Sequence, residues 1–238
     1  MLCPLGLRLG TFRAHAPRPL APDASPEVDR RRLPSIAIVT PSFNQAPYLR
    51  HAVESVLAQD YSRLDYAVCD NRSTDGSREV LASRSDPRLR WASEPDAGQA
   101  DAINTGFGET DAEIMGWLNA DDMLMPGALL AAGAFFRDHP SVDAVYSHRI
   151  VIDERGDEVG RWVLPRHRAA GMLWRDYIPQ ETMLWRRSLW ERAGGALDTS
   201  YDFAIDWELV TRFHACGARF VRLPRFQGAF RTHGAQKS

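Results

Sequence analysis

Two adjacent carboxylates, Asp121 and Asp122, follow a short apolar segment at residues 114–118. The segment has the length and composition of a buried strand, so the acids fall where that strand should end. In open α/β sheets, the carboxyl ends of the strands border the crevice in which ligands bind. Carboxylate oxygens suit Mg²⁺ or Mn²⁺, ions that proteins commonly share with substrate phosphates. The pair therefore indicates a metal–diphosphate site, although a helix cap before Pro126 would use the same residue types.

The segments that must position these acids alternate between strand and helix patterns. Compact apolar runs at residues 36–39, 64–69 and 89–92 predict three strands ahead of the one at 114–118. Apolar residues at helical spacing separate these strands, most clearly in residues 49–57. This order predicts a largely parallel sheet covered by helices, with right-handed crossovers that bring the carboxyl ends of the strands to one edge.

Polar residues follow each of the predicted strands, and Pro41 should end the first of them. These residues are 40–44, 70–76, 94–99 and 119–122. Each group alone could be a loop with helix caps, but all of them should meet at the same edge of the sheet. There Asp70 can accept a hydrogen bond from a nucleotide base, and backbone near Pro41 can approach the flat ring. Asp121 and Asp122 can hold ribose hydroxyls and a metal ion.

The composition excludes several classes of protein. The chain has 238 residues, a net charge of −2 and no basic cluster, so we do not expect nucleic acid as a partner. Its three cysteines, Cys3, Cys69 and Cys216, form neither a zinc pattern nor a disulfide framework, which favours a reducing compartment. The longest apolar run, residues 127–136, is shorter than the roughly 20 residues of a membrane span. We therefore expect a soluble, cytoplasmic protein without a transmembrane segment.

The first 34 residues differ from the rest of the chain. They contain six prolines and the run Arg30-Arg31-Arg32, a composition typical of extended or linking segments. We expect residues 1–34 to form a flexible N-terminal arm and residues 35–238 to form one domain. The arginines could contact anionic lipid, but a solvated linker is the simpler interpretation.

The second half of the chain has a less regular pattern than the first. Apolar stretches at residues 144–152 and 159–164 flank the turn-forming residues 154–157 and predict a hairpin. The other predicted elements are helices at 184–193 and 206–216, and strands at 220–223 and 226–230. We expect this half to form a small mixed region beside the parallel sheet.

Three motifs together resemble those of the family 2 inverting glycosyltransferases. They are Thr40-Pro41-Ser42-Phe43-Asn44, the segment 96–107 and Trp117-Leu118-Asn119-Ala120-Asp121-Asp122. The resemblance extends over residues 35–238 and implies an α/β protein of GT-A type, with a Rossmann-like, mostly parallel sheet flanked by helices and a small mixed acceptor-side subregion. It further implies a nucleotide-sugar-binding half at 35–122 and an acceptor-side half at 123–238.

The same resemblance implies which residues bind a nucleotide diphosphate sugar. They are Thr40, Pro41, Asn44, Asp70, Asp96, Asn104 and Asp121. Thr40, Pro41 and Asp70 would line the base pocket with Asn44 nearby, and Asp96 and Asn104 would lie near the ribose and diphosphate. Asp70 favours uridine, although relatives also use guanosine and thymidine diphosphate sugars.

A metal site is also implied by the resemblance. Residues 119–122 stand in the place of the family's D-x-D motif, but Asn119 replaces the first acid. Asp121 would then contact the ribose or the metal, and Asp122 is the favoured ligand of Mn²⁺ or Mg²⁺. His233 near the C-terminus would complete the metal shell, since neutral imidazole is a good Mn²⁺ ligand, and Lys237 would face the diphosphate.

The catalytic base is expected in the segment 198–208, which resembles the acceptor site of the family. Many relatives carry Glu-Asp there, and here Ile205 precedes Asp206, so Asp206 is the expected base. An inverting transfer needs one carboxylate to take the proton of the acceptor hydroxyl, and it needs no covalent intermediate. Simple N-capping of a helix is the alternative for Asp206, and Asp202 and Glu208 are the alternative bases.

The resulting hypothesis is a metal-dependent inverting glycosyltransferase that moves a sugar from a nucleotide diphosphate sugar, with UDP-sugars favoured, to an acceptor hydroxyl. By resemblance, the acceptor is a glycan or glycolipid in cell-surface polysaccharide assembly, and the protein works in the cytoplasm or at the inner face of the membrane as a peripheral protein. One alternative is an inactive nucleotide-sugar-binding module. A sugar-phosphate nucleotidylyltransferase is less favoured, because residues 40–44 lack the glycine and Lys or Arg of a phosphate loop.

Overall fold

The structure, a computed structural model, describes residues 10–168, 177–234 and 236. The strands are β1 Thr11–Arg18, β2 Ile36–Ser42, β3 Leu64–Asp70, β4 Leu89–Ser93, β5 Ile114–Trp117, β6 Met123–Leu124, β7 Ala144–Ile152, β8 Glu158–Val163, β9 Leu184–Arg186 and β10 Phe220–Arg231. The helices are α1 Ala46–Leu57, α2 Ser77–Ala82, α3 Gln99–Gly108, α4 Ala128–Asp138, α5 Arg187–Arg192 and α6 Ile205–Ala215, with a 3-10 turn at Gln180–Thr182.

The described strands form one mixed sheet in the order β1-β8-β7-β9-β5-β2-β3-β4, with β10 paired to β7 and β6. Strands β5, β2, β3 and β4 are mutually parallel, which confirms the predicted parallel half. Their carboxyl ends lie side by side, because Val39 is opposite Trp117 and Ser42 is opposite Asp70. The predicted meeting of the strand ends at one edge is therefore confirmed.

Helices cover both faces of this sheet, as the fold class predicts. One apolar cluster joins α1, α2 and α4 to side chains such as Ile38, and a second joins α3, α5 and α6 to side chains such as Val39. Neighbouring residues enter different clusters because successive side chains of a strand point to opposite faces. No helix in the part of the chain that the structure describes is long and apolar enough to cross a membrane.

Pro41 does not end β2, which continues to Ser42 and therefore differs from the prediction. The carbonyl of Val39 accepts the N–H of Leu118, so the edge of β2 that Val39 and Pro41 share faces β5. The register with β5 stops at the pair of Val39 and Trp117. A proline two residues later therefore removes no hydrogen bond from the ladder.

The second half contains the predicted hairpin, since β7 and β8 pair antiparallel. The helix predicted over residues 184–193 is a strand, β9, followed by the short α5. Trp185 pairs with Met115 of β5 and with Ala144 of β7, and this pairing overrides the local helical pattern. The two strands predicted around Pro224 are one strand, β10, whose register shifts near the proline.

The segment predicted as a flexible arm includes a strand, β1, which pairs antiparallel with β8. The fully buried carboxylate of Glu158 anchors it, because that carboxylate accepts hydrogen bonds from Arg18, at 2.5 Å, and from Arg161, and contacts His15. These charge-assisted contacts stabilise a strand in a segment whose proline-rich composition favours an extended linker. Residues 1–9 of the predicted arm lie outside the described residues.

Close packing of α3 on β2 makes glycine necessary at one position of this helix. A Cβ on Gly106 would lie 2.6 Å from Cγ1 of Val39, whereas a Cβ on Gly108 would meet nothing within 4 Å. We predict that Gly106→Ala lowers the free energy of unfolding by about 1–3 kcal/mol through overpacking. Gly108→Ala should leave it unchanged or raise it by up to about 1 kcal/mol. Urea denaturation of the two variants tests this, and equal stabilities would contradict it.

Hydrogen bonds from Arg161, together with Arg18 and His15, hold the pKa of Glu158 at about 2, below its ordinary value of 4.5. The stability that this carboxylate contributes is complete above pH 4.5 and is lost as the pH falls through about 2.

We predict that Glu158→Gln lowers the free energy of unfolding at pH 7 by about 1.5–3 kcal/mol, because charge-assisted hydrogen bonds to Glu158 are lost. The difference from the wild type should shrink between pH 4.5 and 2. Denaturation curves across this pH range test the prediction, with the exposed Glu27→Gln as control. A difference independent of pH would show that the carboxylate charge is not the cause.

Candidate functional site

A cleft of about 440 Å³ lies at the carboxyl ends of the parallel strands. Each polar segment predicted to meet there contributes to it, with Phe43 after β2, Asn71 after β3, Asp96 after β4 and Asp121 after β5. The lining also includes residues 202–206, Gln180 and His233 from the second half of the chain. The cleft therefore joins the two halves of the chain that sequence analysis assigned to donor and acceptor.

Asp96 and Pro41 line the cleft on the side of the parallel strands, as predicted. The Oδ1 of Asp96 accepts the N–H of Gly98 at 2.8 Å, and its own N–H donates to Oδ1 of Asn71 at 3.2 Å. Partial burial raises the pKa of Asp96, and the nearby Asp101 adds to this effect. Asp96 is thus held by the loops after β3 and β4 with its carboxyl group at the cleft.

Thr40 and Asp70 do not line the cleft. The hydroxyl of Thr40 is fully buried and lies 3.0 Å from the hydroxyl of Tyr66. Asp70 is 1% exposed and accepts hydrogen bonds from the N–H and the hydroxyl of Ser73 and from the hydroxyl of Ser93. The contact of Thr40 therefore joins β2 to β3, and the contacts of Asp70 hold the loop after β3.

Asn44 and Asn104 also lie away from the cleft lining. The backbone of Asn44 has a φ of 51°, and its Oδ1 accepts the N–H of Thr74 at 3.0 Å. The amide of Asn104 donates to the carbonyl of Leu197 at 3.0 Å and accepts the N–H of the same residue at 2.7 Å. Asn104 thus ties α3 to the loop before α6, because both of its amide atoms are used there, and this differs from the predicted place near the ribose.

Asp121 and His233 come together at the cleft, although they are far apart in sequence. Oδ2 of Asp121 lies 3.0 Å from Nε2 of His233, whose ring packs 4.6 Å from the ring of Tyr48. The His233 side chain is 2% exposed and the Asp121 side chain is 16% exposed. The predicted approach of His233 to the acidic motif is therefore present, and Lys237 lies outside the described residues.

Asp122 lies beneath the cleft and does not line it. The residue is 1% exposed, and its Oδ1 accepts the backbone N–H of Arg231 at 3.0 Å. Burial raises the pKa of Asp122 well above its usual range, and the neighbouring carboxylates of Asp121 and Glu181 raise it further. One carboxylate oxygen of Asp122 is thus engaged by the backbone of β10, and the expected role of Asp122 as a metal ligand stays a prediction.

Arg231 is a site residue that sequence reasoning missed. It is fully buried, and its guanidinium donates to the carbonyls of Asp121 at 2.9 Å and Asp153 at 3.0 Å. The guanidinium also lies 5.0 Å from the centre of the Tyr48 ring. Burial lowers the pKa of Arg231. The position of Arg231 two residues before His233 was the available signal that it belongs to the site. An arginine at the end of a strand is ordinarily exposed, so the sequence offers no reason to expect its burial.

The residues at the cleft fit a divalent cation bound together with a diphosphate. Asp121 Oδ2 and His233 Nε2 lie 3.0 Å apart, and a carboxylate oxygen and a neutral imidazole nitrogen are both ligands that Mn²⁺ accepts. In the described part of the chain no group of three or more His, Cys, Asp or Glu side chains converges, so phosphate and water oxygens would fill the remaining positions. Asp121 and His233 are therefore the candidate protein ligands.

Asp206 lies in the first turn of α6 and lines the cleft. The N-cap of this helix is Ala204, and Oδ1 of Asp206 accepts the backbone N–H of Trp207 at 2.9 Å. Stabilising the start of the helix therefore stays the alternative role of Asp206. Burial raises the pKa of Asp206. Among the alternative bases, Asp202 also lines the cleft, whereas Glu208 is paired with Arg212 at 2.6 Å and does not.

Several cleft-lining side chains carry a buried polar atom without a hydrogen-bond partner among the described residues. These atoms are Ser42 Oγ, Trp117 Nε1, Gln180 Oε1 and His233 Nδ1. The Nε2 of Gln180 donates to the carbonyl of Trp117 at 2.6 Å, which leaves only its oxygen unpaired. Native proteins seldom leave such atoms unsatisfied, so we expect a bound ligand or ordered water to pair with them.

Comparison with known proteins agrees with this geometry. A profile of Glycosyl transferase family 2 matches residues 37–197. A chondroitin synthase of Escherichia coli is 32% identical over 129 residues, which is 53% of this chain and 19% of the synthase. The chain thus covers far less than two thirds of that relative.

Solved structures resemble the fold. The S. aureus TarS fragment 1–349 in complex with UDP-GlcNAc has a TM-score of 0.71 and 17% identity, covering 85% of this chain and 60% of that one. The mannosyltransferase PcManGT from Pyrobaculum calidifontis, in complex with GDP-Man and Mn²⁺, has a TM-score of 0.66 and 22% identity, covering 91% and 61%. These likenesses confirm the predicted fold class.

Proposed function

The chain belongs to glycosyl transferase family 2, and from this premise we propose that it transfers a sugar from a nucleotide diphosphate sugar to an acceptor hydroxyl with inversion. The observation that carries the proposal is that one cleft is lined both by the Asp121–His233 pair and by Asp206. The complexes of TarS with UDP-GlcNAc and of PcManGT with GDP-Man and Mn²⁺ support a nucleotide-sugar donor and a divalent ion.

On the donor side, Asp121 and His233 would hold Mn²⁺ or Mg²⁺, which offsets the negative charge of the leaving diphosphate when it is bound. Pro41 and Asp96 would contact the nucleoside. Asp70, from which the preference for uridine came, already accepts hydrogen bonds from Ser73 and Ser93. UDP remains the first nucleotide to test. The thermal-shift comparison of UDP, GDP and dTDP below identifies the preferred nucleotide base.

On the acceptor side, Asp206 would act as the general base. Its carboxylate takes the proton of the acceptor hydroxyl while the hydroxyl oxygen forms a bond to the anomeric carbon. In the same step the bond from that carbon to the diphosphate oxygen breaks, and the configuration at the carbon inverts. We extend the proposal to acceptors in cell-surface polysaccharide or glycolipid assembly, at the cytoplasmic face of the membrane, as the resemblance to the family implies.

The proposed function first predicts that the protein binds the donor nucleotide together with the divalent ion. With UDP and Mn²⁺ at a hundredfold excess over the dissociation constant, the protein should gain about 2.7 kcal/mol of stability, a rise in Tm of about 5–10 °C. UDP without Mn²⁺ should give little shift, and GDP and dTDP with Mn²⁺ serve as comparisons.

Asp121→Ala should abolish the shift that depends on Mn²⁺, and it should fold, because Arg231 bonds the backbone carbonyl of Asp121 rather than its side chain. Asp138→Ala is the matched control, since Asp138 is an exposed residue that pairs with Arg137 far from the cleft lining. A shift of the same size in Asp121→Ala, or no shift with any nucleotide in the folded wild type, would contradict the donor proposal.

The base assignment makes a separate prediction. Asp206→Asn should lower the rate of sugar transfer by about 10²–10⁴-fold, because the group that takes the proton is lost. The nucleotide-dependent thermal shift should remain. Because burial raises the pKa of Asp206 above the ordinary 3.8, wild-type activity should fall as the pH drops through that raised value, where the base becomes protonated.

Nucleotide release from the sugar donor, measured across pH with and without an acceptor mixture, tests this prediction. Asp198→Asn is the control, since Asp198 is exposed, bonds to Ser200 and does not line the cleft. The variant Asp202→Asn tests whether Asp202, rather than Asp206, is the general base. If Asp202→Asn lost transfer while Asp206→Asn kept it, the assignment would move to Asp202.

A further inference from the structure

Tyr48 is a half-buried residue in the first turn of α1, and it is not part of the cleft lining. Its ring nevertheless meets two residues at and just after the end of β10. The centre of the ring lies 4.6 Å from the centre of the His233 ring and 5.0 Å from the guanidinium carbon of Arg231. One side chain of α1 therefore contacts both residues through which this part of the chain reaches the acidic loop after β5.

The contact with His233 bears on the orientation of the imidazole ring. In metal sites of proteins, the ring nitrogen that does not bind the metal usually donates to a carboxylate or a carbonyl, and that contact fixes the ring. In His233, Nε2 lies 3.0 Å from Oδ2 of Asp121, and Nδ1 has no partner among the described residues. The Tyr48 ring packs on the imidazole at an interplanar angle of 40°. Rotation of the imidazole about its own bond would lose this packing.

The contact with Arg231 bears on the other member of the Asp121–His233 pair. The guanidinium of Arg231 is fully buried and donates to the carbonyl of Asp121 at 2.9 Å. A guanidinium within about 6 Å of the centre of an aromatic ring is attracted by that ring, and more strongly where water is excluded. Tyr48 therefore acts on His233 directly and on the backbone of Asp121 through Arg231.

The face of α1 that packs on the sheet does not include Tyr48. That face consists of Leu49, Ala52, Val53 and Val56, which belong to the first apolar cluster. These residues hold the helix on the sheet by themselves, and the ring contacts of Tyr48 are made with the site residues instead. Removing the Tyr48 ring should therefore disturb the site more than the helix.

We propose that Tyr48 is a positioning residue of the divalent-ion site, whose ring holds the His233 imidazole at Asp121 and the Arg231 guanidinium against the acidic loop. This inference rests on the proposed function. Tyr48 does not line the cleft, so it sets the affinity for the ion through the residues that it holds. Neither contact involves the hydroxyl of Tyr48, so the aromatic ring is the part that matters.

Calorimetric titration of Mn²⁺ into the protein with UDP in fixed excess tests the inference. Tyr48→Ala should weaken Mn²⁺ binding about 10–100-fold, the usual effect of losing a contact that orients a metal-binding histidine. Tyr48→Phe should keep the wild-type affinity, because it retains the ring. Leu57→Ala is the matched control, since Leu57 is a half-buried residue at the other end of α1 and packs on the first apolar cluster. This control should lower stability without changing the Mn²⁺ affinity.

Rescue by excess metal separates positioning from a general loss of structure. Raising the Mn²⁺ concentration in proportion to the weakened affinity should restore the thermal shift of Tyr48→Ala with UDP to its wild-type size. A shift that does not return at any Mn²⁺ concentration would overturn the inference, because the ring would then maintain the fold of the site. Equal Mn²⁺ affinities of Tyr48→Ala and the wild type would also overturn it. The same holds for an equal loss in Tyr48→Phe or in Leu57→Ala.

The wild-type titration separates the two levels of proposal. If the folded wild type binds no nucleotide with Mn²⁺, the donor proposal fails and this inference fails with it. If the wild type binds UDP with Mn²⁺ and Tyr48→Ala keeps the same Mn²⁺ affinity, only the inference about Tyr48 fails.

Discussion

The buried guanidinium of Arg231 is the interaction on which the rest of the site depends. A buried charge is costly unless its donors are satisfied, and here the carbonyls of Asp121, Asp153 and Glu154 accept them. The backbone N–H of the same residue donates to Asp122. One residue at the end of β10 therefore fixes the acidic loop after β5 and the turn after β7. His233 reaches Asp121 because it follows two residues later.

The protein itself does not pair all of the polar groups that line the cleft. Four carboxylates line it, and several buried polar atoms in its walls have no partner among the described residues. Such an arrangement costs stability, since the like charges repel and the orphaned groups have lost water. A divalent ion, a diphosphate and a hydroxyl-rich acceptor would each relieve part of that cost. The groups that lower stability here are thus the same groups that can bind a ligand.

The sequence by itself determined the parallel half of the fold and the edge at which the site lies. Strand and helix periodicities are local, and the rule that parallel crossovers are right-handed brings the polar residues after each strand together. Sequence patterns and family motifs together therefore identify Pro41, Asp96, Asp121, Asp206 and His233, all of which line the cleft. The family motifs added their expected roles, which periodicity does not contain.

Only the tertiary structure decided which polar side chains the protein uses for itself. Thr40, Asp70 and Asn104 are polar, as Asp96 is, but their side-chain atoms bond to Tyr66, Ser73 and Leu197. The strand β9, the pairing of β1 and the burial of Arg231 likewise depend on partners far away in sequence. Strand pairing and burial override local preference because they depend on residues that are distant in the sequence and close in the fold. The local spacing of residues does not indicate which distant residues these are.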